Sequence, residues 1–497
     1  MRVREFYLNS EHEVIVKIVK EVLNLFRIEI ADEDAEPVDF AVLSIENEVL
    51  SRKPPEVQTR LSVQRTDGTK QSFVLAENAA LDEHESAAIH RLIKLNLYHL
   101  FREHFAMPPA PWGIMHGVRP TKIVHRLIQG GASAEAIIKR LQKDYEVSYE
   151  KADCITRMAF RQLPFLASSD EHTISIYVGI PFCLSRCLYC SFPAYVLPPA
   201  EKLAEFMLVW RKDLAAAKAA VDKYGLHVQN IYIGGGTPTS LPDEIFAEML
   251  HLVYNAFYGP GVVEFTVEAG RPDSMSKAKI QTMLDCHVDR VSVNPQTMQQ
   301  RTLKRIGRNH TPEDVVRMFH ALRDAGIPQI NMDLILGLPG ETVADVEDTM
   351  QKVAALAPDD ITLHALALKR GSRLKMNLAD FELPDDATTR KMFDTAMCYV
   401  GKLGLQPYYL YRQGYMSGQL ENVSCCREGA EGMYNIQIME EHQTIIGIGG
   451  AATTKVVDFK AHRIKSSFNA KDLATYLNSV DKYIEKRALL LESAYKE

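Results

Sequence analysis

Apolar positions follow two rhythms along the chain, and the change between them falls near residue 165. Up to that point the pattern is mixed. Residues 14–26 and 87–105 place apolar side chains at helical spacing, while 40–46 and 58–65 read as strands. Thr66-Asp67-Gly68-Thr69, between 58–65 and 72–76, predicts a hairpin turn. A proline-rich loop, Met107-Pro108-Pro109-Ala110-Pro111-Trp112, leads into Gly113-Ile114-Met115-His116-Gly117-Val118-Arg119-Pro120-Thr121-Lys122 and another helical stretch.

From Thr173 short β-branched runs alternate with helical segments. Strands are expected at 174–179, 230–233, 262–267, 290–293, 329–334 and 360–363. Helices are expected to begin near Pro199, Pro242, Ser276, Thr311 and Thr342. Six successive βα units predict a parallel sheet, closed or partly closed as a barrel. Chemistry in such folds gathers at the C-terminal ends of the strands. After about residue 405 the rhythm breaks: 406–412 is strand-like, 444–451 is a second short run, and the last forty residues read as an amphipathic helix docked on the surface. The expected architecture is α/β. It has an N-terminal mixed α/β domain (1–165), a partial (β/α)6 TIM-like barrel (166–405) and a small C-terminal strand and helical extension (406–497).

A length of 497 residues agrees with about three domains and equally with two large ones. Hydrophobic residues at 46% and charged residues at 24% exclude a largely disordered or fibrous chain. A net charge of −7 argues against general nucleic-acid affinity. No apolar run approaches the length of a membrane span, and the start of the chain lacks the apolar core of a secretory signal. A cytosolic protein with reduced thiols is expected.

Of eight cysteines, Cys154, Cys286, Cys398, Cys425 and Cys426 lie outside the one tight group. Adjacent Cα atoms such as those of Cys425 and Cys426, about 3.8 Å apart, fall below the usual disulfide range, so these read as free thiols. The tight group is Cys183-Leu184-Ser185-Arg186-Cys187-Leu188-Tyr189-Cys190, directly after the first barrel strand. Three thiolates at C-x3-C-x2-C spacing can hold three irons of a [4Fe–4S] cube and leave the fourth open. Zinc is the alternative, but it takes four ligands, and no further Cys or His follows at a suitable short distance.

Other candidates sit after successive strands: the glycine run Ile233-Gly234-Gly235-Gly236-Thr237-Pro238-Thr239, then Glu268, Gln296, Arg308 and Asp333. Glycines admit close backbone approach. A strand-end carboxylate suits ribose or ammonium, and an arginine suits a carboxylate as a two-pronged pair. Each alone is commonly a turn or a surface polar residue.

The cysteine run and its placement resemble the radical S-adenosylmethionine (SAM) superfamily. There the open iron binds the amino and carboxylate groups of SAM, and one electron splits the sulfonium to a 5′-deoxyadenosyl radical. The ordered set Tyr177-x-x-Ile180-Pro181-Phe182-Cys183, Gly234-Gly235-Gly236-Thr237-Pro238-Thr239, strand-end Glu, Gln and Arg, and Asp333-Leu334-Ile335-x-Gly337-Leu338-Pro339 is similar to oxygen-independent coproporphyrinogen III oxidase and its close relatives, over residues 173–455. Leu410-Tyr411-Arg412-Gln413, the 434–441 stretch and the 112–122 segment resemble the branch called coproporphyrinogen dehydrogenase.

The resemblance implies a [4Fe–4S] cluster on Cys183, Cys187 and Cys190. It implies SAM contacts at Tyr177, Tyr189, Gly235, Gly236, Thr237, Glu268, Gln296, Arg308, Asp333, Ala367 and Thr453. It also implies a radical SAM oxidoreductase of porphyrin and haem biosynthesis. Its reaction would be the oxidative decarboxylation of coproporphyrinogen III propionates to vinyls, giving protoporphyrinogen IX. The implied partners are a tetrapyrrole and an electron donor such as flavodoxin or ferredoxin. Four propionates call for cations, for which Lys369, Arg370, Arg373 and Arg412 are the candidates. A solvated charge run is their other reading.

Two departures stand out. Phe192 occupies the place of the oxidase's fourth cysteine, as it does in haem-chaperone relatives. Those chaperones carry a His-Asn-x-x-Tyr-Trp haem motif, whose counterpart here begins Tyr434-Asn435 and lacks the histidine. A haem chaperone, or a radical SAM enzyme acting on another tetrapyrrole or transferring a methyl group, are the alternative functions. Trp112, His116 and Arg119 either contribute to the site or build a packed corner.

Overall fold

The computed structural model describes residues 1–32, 37–79, 83–369, 371–413, 416–458 and 463–496. They form two compact units, Met1–Arg157 and Met158–Glu497.

The first unit is a five-stranded sheet with helices. Its strands are β1 (Arg2–Leu8), β2 (Glu29–Ile30), β3 (Phe40–Arg52), β4 (Pro55–Gln64) and β5 (Lys70–Asn78), in the order β2-β1-β3-β4-β5. Its helices are α1 (Glu13–Leu25), α2 (Glu85–Phe105), α3 (Thr121–Gln129) and α4 (Ala134–Tyr145); α5 (Tyr149–Ala167) runs across the boundary at 157. Val57, Leu61 and Val63 alternate inward along β4 beside Ile93, Leu97 and Phe101. Asn96 is buried among these residues because its amide donates to Val57 O at 2.8 Å. The expected hairpin turn is present: Arg65 N donates to Thr69 O at 2.8 Å and Gly68 has φ +88°. Trp112 is buried, with the Lys151 ammonium 5.8 Å from its ring centre.

The second unit carries the barrel. Six strands, β6 (Thr173–Ile180), β9 (His227–Gly235), β10 (Glu264–Glu268), β11 (Arg290–Gln296), β12 (Gln329–Leu336) and β13 (Asp360–Ala365), pair in parallel in that order. The short pair β7 (Phe182–Cys183) and β8 (Tyr195–Val196) lies between the first two. The helices are α6 (Ala200–Lys223), α7 (Asp243–Phe257), α8 (Lys277–Asp285), α9 (Gln300–Arg305), α10 (Pro312–Ala325), α11 (Val343–Leu356), α12 (Arg373–Met376) and α13 (Asp386–Lys402). The expected helix starts are the caps: Pro199, Pro242, Ser276, Thr311 and Thr342 each precede a helix. Thr311 and Thr342 form capping boxes with Asp314 and Asp345, satisfying amides that open each helix.

Strands from the 406–497 stretch extend this sheet at both edges. β14 (Gln406–Tyr411) and β15 (Asn422–Cys426) add antiparallel beyond β13. After α14 (Met433–Glu440), β16 (Thr444–Ile448) pairs in parallel with the free edge of β6, followed by β17 (Thr453–Asp458) and β18 (Arg463–Phe468). The sheet of eleven strands stays open, so the barrel is partial. Helix α15 (Leu473–Tyr495) is held more deeply than surface docking requires: Arg487 is buried and pairs with Asp213 of α6 at 2.7 Å. Among the described residues no helix is long and apolar enough to cross a membrane.

Candidate active site at the strand ends

The strand ends bring the sequence candidates to one end of the sheet. Cys183 ends β7, where Leu197 N donates to its carbonyl at 3.0 Å. Its sulfur lies 3.5 Å from Thr237 Oγ1. Cys187 and Cys190 belong to the turn that follows, with Cys190 N donating to Cys187 O at 3.3 Å. Burial raises the Cys183 and Cys190 thiols, and the neighbouring sulfurs raise them further. Thiols that disfavour each other's ionisation fit a shared cationic group. Among the described residues no three His, Cys, Asp or Glu side chains converge on a point that would hold one metal ion. Three cysteines that bind three different irons need not do so.

Arg271 fixes this loop, and nothing in the sequence singled it out. Its guanidinium is 2% exposed. Nε and Nη2 donate to the two carboxylate oxygens of Asp273 at 3.0 and 2.8 Å, and Nη1 donates to Ser185 Oγ at 2.6 Å. Ser185 Oγ in turn donates to Gly307 O at 3.1 Å. The span between the first two cysteines is thus tied to the β10–α8 loop by a planar fork that lysine could not reproduce.

The glycine run serves the chain's own packing. A Cβ on Gly236 would sit 2.5 Å from Phe182 O, and one on Gly234 would sit 2.8 Å from the Glu268 carboxyl carbon. The run therefore lets the end of β9 press against the cluster loop and the Glu268 side chain. Glu268 accepts from Tyr232 Oη at 2.6 Å and from Gly235 N at 3.2 Å. Burial pushes its carboxyl up to about 7 against the pull of the Tyr232 bond, with Asp333 adding to the rise. Asp333 has the opposite balance. Burial raises it, but His364 and Asn331 outweigh burial and hold it below the usual range. Asn331 donates to Oδ1 at 2.7 Å, and His364 Nε2 lies 3.7 Å from Oδ2.

Gln296 ends β11 after a register shift, with φ +69°. A non-glycine residue in that region is strained, and such strain gathers at functional sites. Its Oε1 is buried without a hydrogen-bond partner. Arg308 is buried too. Nη1 donates to the carbonyls of Asn294 (2.6 Å) and Gly270 (3.0 Å), and Nη2 donates to Tyr189 Oη at 3.2 Å, leaving Nε unpartnered. Burial works against its charge, yet Tyr189 and Cys187 hold its pKa above the ordinary value. The sequence reading gave Arg308 a two-pronged grip on a carboxylate; here Nη1 is bonded to two backbone carbonyls.

Inside the barrel, Tyr177, Tyr232 and Tyr434 stack, with ring centres 4.4 Å apart for Tyr232 and Tyr434 and 6.2 Å for Tyr177 and Tyr232. Tyr434 comes from α14, whose first amide donates to Glu264 at 2.7 Å. Ala367 makes an isolated bridge to Met416, and Thr453 opens β17. Before Thr453, Gly449 has φ +97° and lies so close to the end of β6 that a Cβ would sit 2.2 Å from Gly179 O.

Three of the four cation candidates lie among the described residues. Arg412 follows β14 and is half-buried beside Glu421, with burial lowering it to about 10. Lys369 stands within electrostatic reach of Cys190. Arg373 is exposed and donates to Arg186 O on the outside of the cysteine loop. Arg370 lies outside the described residues.

The radical SAM superfamily model matches residues 177–353, from Tyr177 through β12 into α11. Over 492 residues, 96% of both chains, the sequence is 35% identical to the oxygen-independent coproporphyrinogen-III oxidase-like protein HemZ of Bacillus subtilis. The chain belongs to this oxidase-like family of radical SAM proteins. The family's cofactors, a [4Fe–4S] cluster and SAM, are those that the three clustered thiols and the unpartnered Gln296 and Arg308 atoms fit. The haem chaperone HemW of the same organism is 29% identical over 47% of this chain and 62% of its own length. The solved structure of coproporphyrinogen III oxidase HemN from Escherichia coli superposes with a TM-score of 0.53 at 22% identity, covering 65% of this chain and 72% of that one, which shows the fold.

Proposed function

We propose that the protein is a radical SAM oxidoreductase of porphyrin and haem biosynthesis that converts propionates of coproporphyrinogen III to vinyl groups without oxygen, giving protoporphyrinogen IX. The observation that carries this reading is the full-length likeness to a coproporphyrinogen oxidase-like protein, joined to an intact set of strand-end groups at the mouth of the barrel. Each propionate loses one hydrogen atom from its β-carbon, carbon dioxide and one electron, the hydrogen passing to the bound cofactor and the electron to a separate one-electron acceptor. When bound, the cluster and SAM together supply the hydrogen-abstracting chemistry.

The chain's own residues bind, orient and exclude water. Cys183, Cys187 and Cys190 hold the cluster. Tyr177, Tyr189, Gly235, Gly236, Thr237, Ala367 and Thr453 line the SAM position. Glu268 and Asp333 offer carboxylates to hydroxyl or ammonium hydrogens, while Gln296 Oε1 and Arg308 Nε provide an acceptor and a donor that the protein itself leaves unbonded. Tyr434 stacks on Tyr232, whose hydroxyl donates to Glu268. Arg412 and Lys369 receive substrate carboxylates. Anaerobic reconstitution, followed by mass analysis of coproporphyrinogen incubations, tests the reading. Loss of two carbon dioxides and four hydrogens is expected, and gain of a methyl group or an unchanged mass would overturn it.

The second reading, a haem chaperone, is favoured by Phe192 and by the likeness to HemW. Against it, Tyr434 stands where the chaperone motif has histidine, and its ring is buried in the tyrosine stack. A stable Soret-band complex on adding haem to the purified protein, with no conversion of coproporphyrinogen, would establish the chaperone instead.

A further inference from the structure

Two other segments hold the cysteine loop from outside, and all three stretches turn cations to solvent. Leu188, inside the loop, donates its N–H to Ile306 O at 2.9 Å, and its carbonyl accepts from Leu374 N at 3.0 Å. The side chains of Leu188, Ile306 and Leu374 bury one apolar cluster with Leu338 and Leu366. Their flanking residues cannot follow them inward. Arg186, Lys304, Arg305, Arg373 and Lys375 are all exposed. Arg186 reaches Gly371 O at 3.3 Å and Arg373 donates to Arg186 O, so the 371–375 stretch is tied to the cysteine loop by side chains as well as by backbone. Asp380 and Glu382 are the acids that follow on the last of these segments. The whole chain carries −7, yet five exposed cations gather here from three separate stretches. A solvated charge run lies on one stretch; here backbone hydrogen bonds assemble the strip over the one loop that carries the cluster cysteines.

We propose that this strip is the docking surface for a small acidic protein that carries one electron. The electron leaves the reduced carrier and enters the cluster; no bond forms or breaks at the interface. Arg186 lies next to Cys187 in the chain, so a carrier seated there sits directly over the ligand loop. Opposite surface charge raises encounter rates and makes them salt-dependent. The proposal rests on the cluster reading alone and is independent of which tetrapyrrole is the substrate.

The test uses the full-length protein, reconstituted without air and assayed for iron and sulfide before use. Absence of a cluster at that stage counts against the cluster reading itself and so stands apart from the docking result. Cluster reduction is followed by stopped-flow absorbance across a range of salt. The reductants are a pre-reduced acidic flavodoxin, a pre-reduced acidic [2Fe–2S] ferredoxin and dithionite. The variant is Lys304→Glu with Lys375→Glu, two residues outside the cofactor and substrate grip. The wild-type rate with a protein carrier should fall steeply with salt. The variant should be about tenfold slower at low salt, with a flattened salt dependence and an unchanged dithionite rate. If charge reversal lowers cluster content, Lys304→Gln with Lys375→Gln carries the comparison, with an expected drop of about threefold. Carrier rates that ignore both salt and substitution overturn the proposal. Reduction by dithionite but by neither carrier does so as well.

Discussion

The two ends of the barrel strands use charge in opposite ways. At the N-terminal end, Arg290 of β11 pairs with Asp360 of β13 at 3.0 Å, faces Glu264 of β10 at 3.8 Å and donates to Ala430 O at 2.6 Å. Asp360 also accepts from Tyr408 at 2.8 Å and Ser424 at 2.5 Å. These charges face one another and are screened from solvent. At the C-terminal end the same β10 and β11 finish in Glu268 and Gln296. There a carboxyl is pushed up to about 7, an amide oxygen has no partner and the backbone is strained. Arg290 Nε also lacks a hydrogen bond, but Glu264 faces it with an opposite charge, whereas Gln296 Oε1 at the other end has no counterpart from the chain and is left for a ligand to complete. A buried acceptor with no opposite charge beside it marks a functional end more reliably than the number of charges does.

The largest effect expected at the open end is that of Cys183→Ala, which should abolish SAM cleavage and cluster retention; release of 5′-deoxyadenosine by that protein would refute the assignment. At the closed end, Arg290→Met leaves two buried carboxylates uncompensated. It should cost about 3–5 kcal/mol in stability, read by denaturant unfolding. Glu268→Gln should do the reverse. Protonated at low pH, Glu268 takes nothing from stability. As the pH rises from about 4.5 to about 7, the unfolded chain ionises more readily than the folded one, so stability falls. The cofactor-free variant should escape this fall, on the order of 3 kcal/mol by pH 8. Melting curves at pH 5 and pH 8 should therefore converge at the lower pH and separate at the higher, while SAM binding weakens. A variant less stable than its parent at pH 8 would erase the contrast between the two ends. The smallest effect belongs to Ser185→Ala, which removes one anchor from Arg271. About 1 kcal/mol is expected, seen as faster loss of iron to a chelator.

Much of this was legible because the signals are local. The helix caps at Ser276, Thr311 and Thr342, the β-branched runs between them and the three cysteines within eight residues each act over a few positions. Elements that depend on distant partners were harder to read. Thr444–Ile448 is an ordinary apolar run, and nothing in it says that its neighbour is β6, some 270 residues earlier in the register Thr444–Ile174. Arg271 looks like a loop arginine until Ser185 is brought beneath it. Tyr434 appeared only as part of a motif; its place in the stack needs β6, β9 and α14 together. Alternation along β9 does put Tyr232 between the buried Ile231 and Ile233, a hint that it faces the other side of the strand.

The pairing of β16 with β6 bears on how the chain is made. As the polypeptide emerges from the ribosome, β6 appears early and gains β9 on one side, but its other edge stays bare until Ile448 has been synthesised. The cysteine-bearing turn hangs from that half-covered strand all the while. The strand behind the cysteine turn is therefore covered on both edges only when most of the chain has been made, and a nascent chain arrested before Thr444 should expose a sticky strand edge to chaperones.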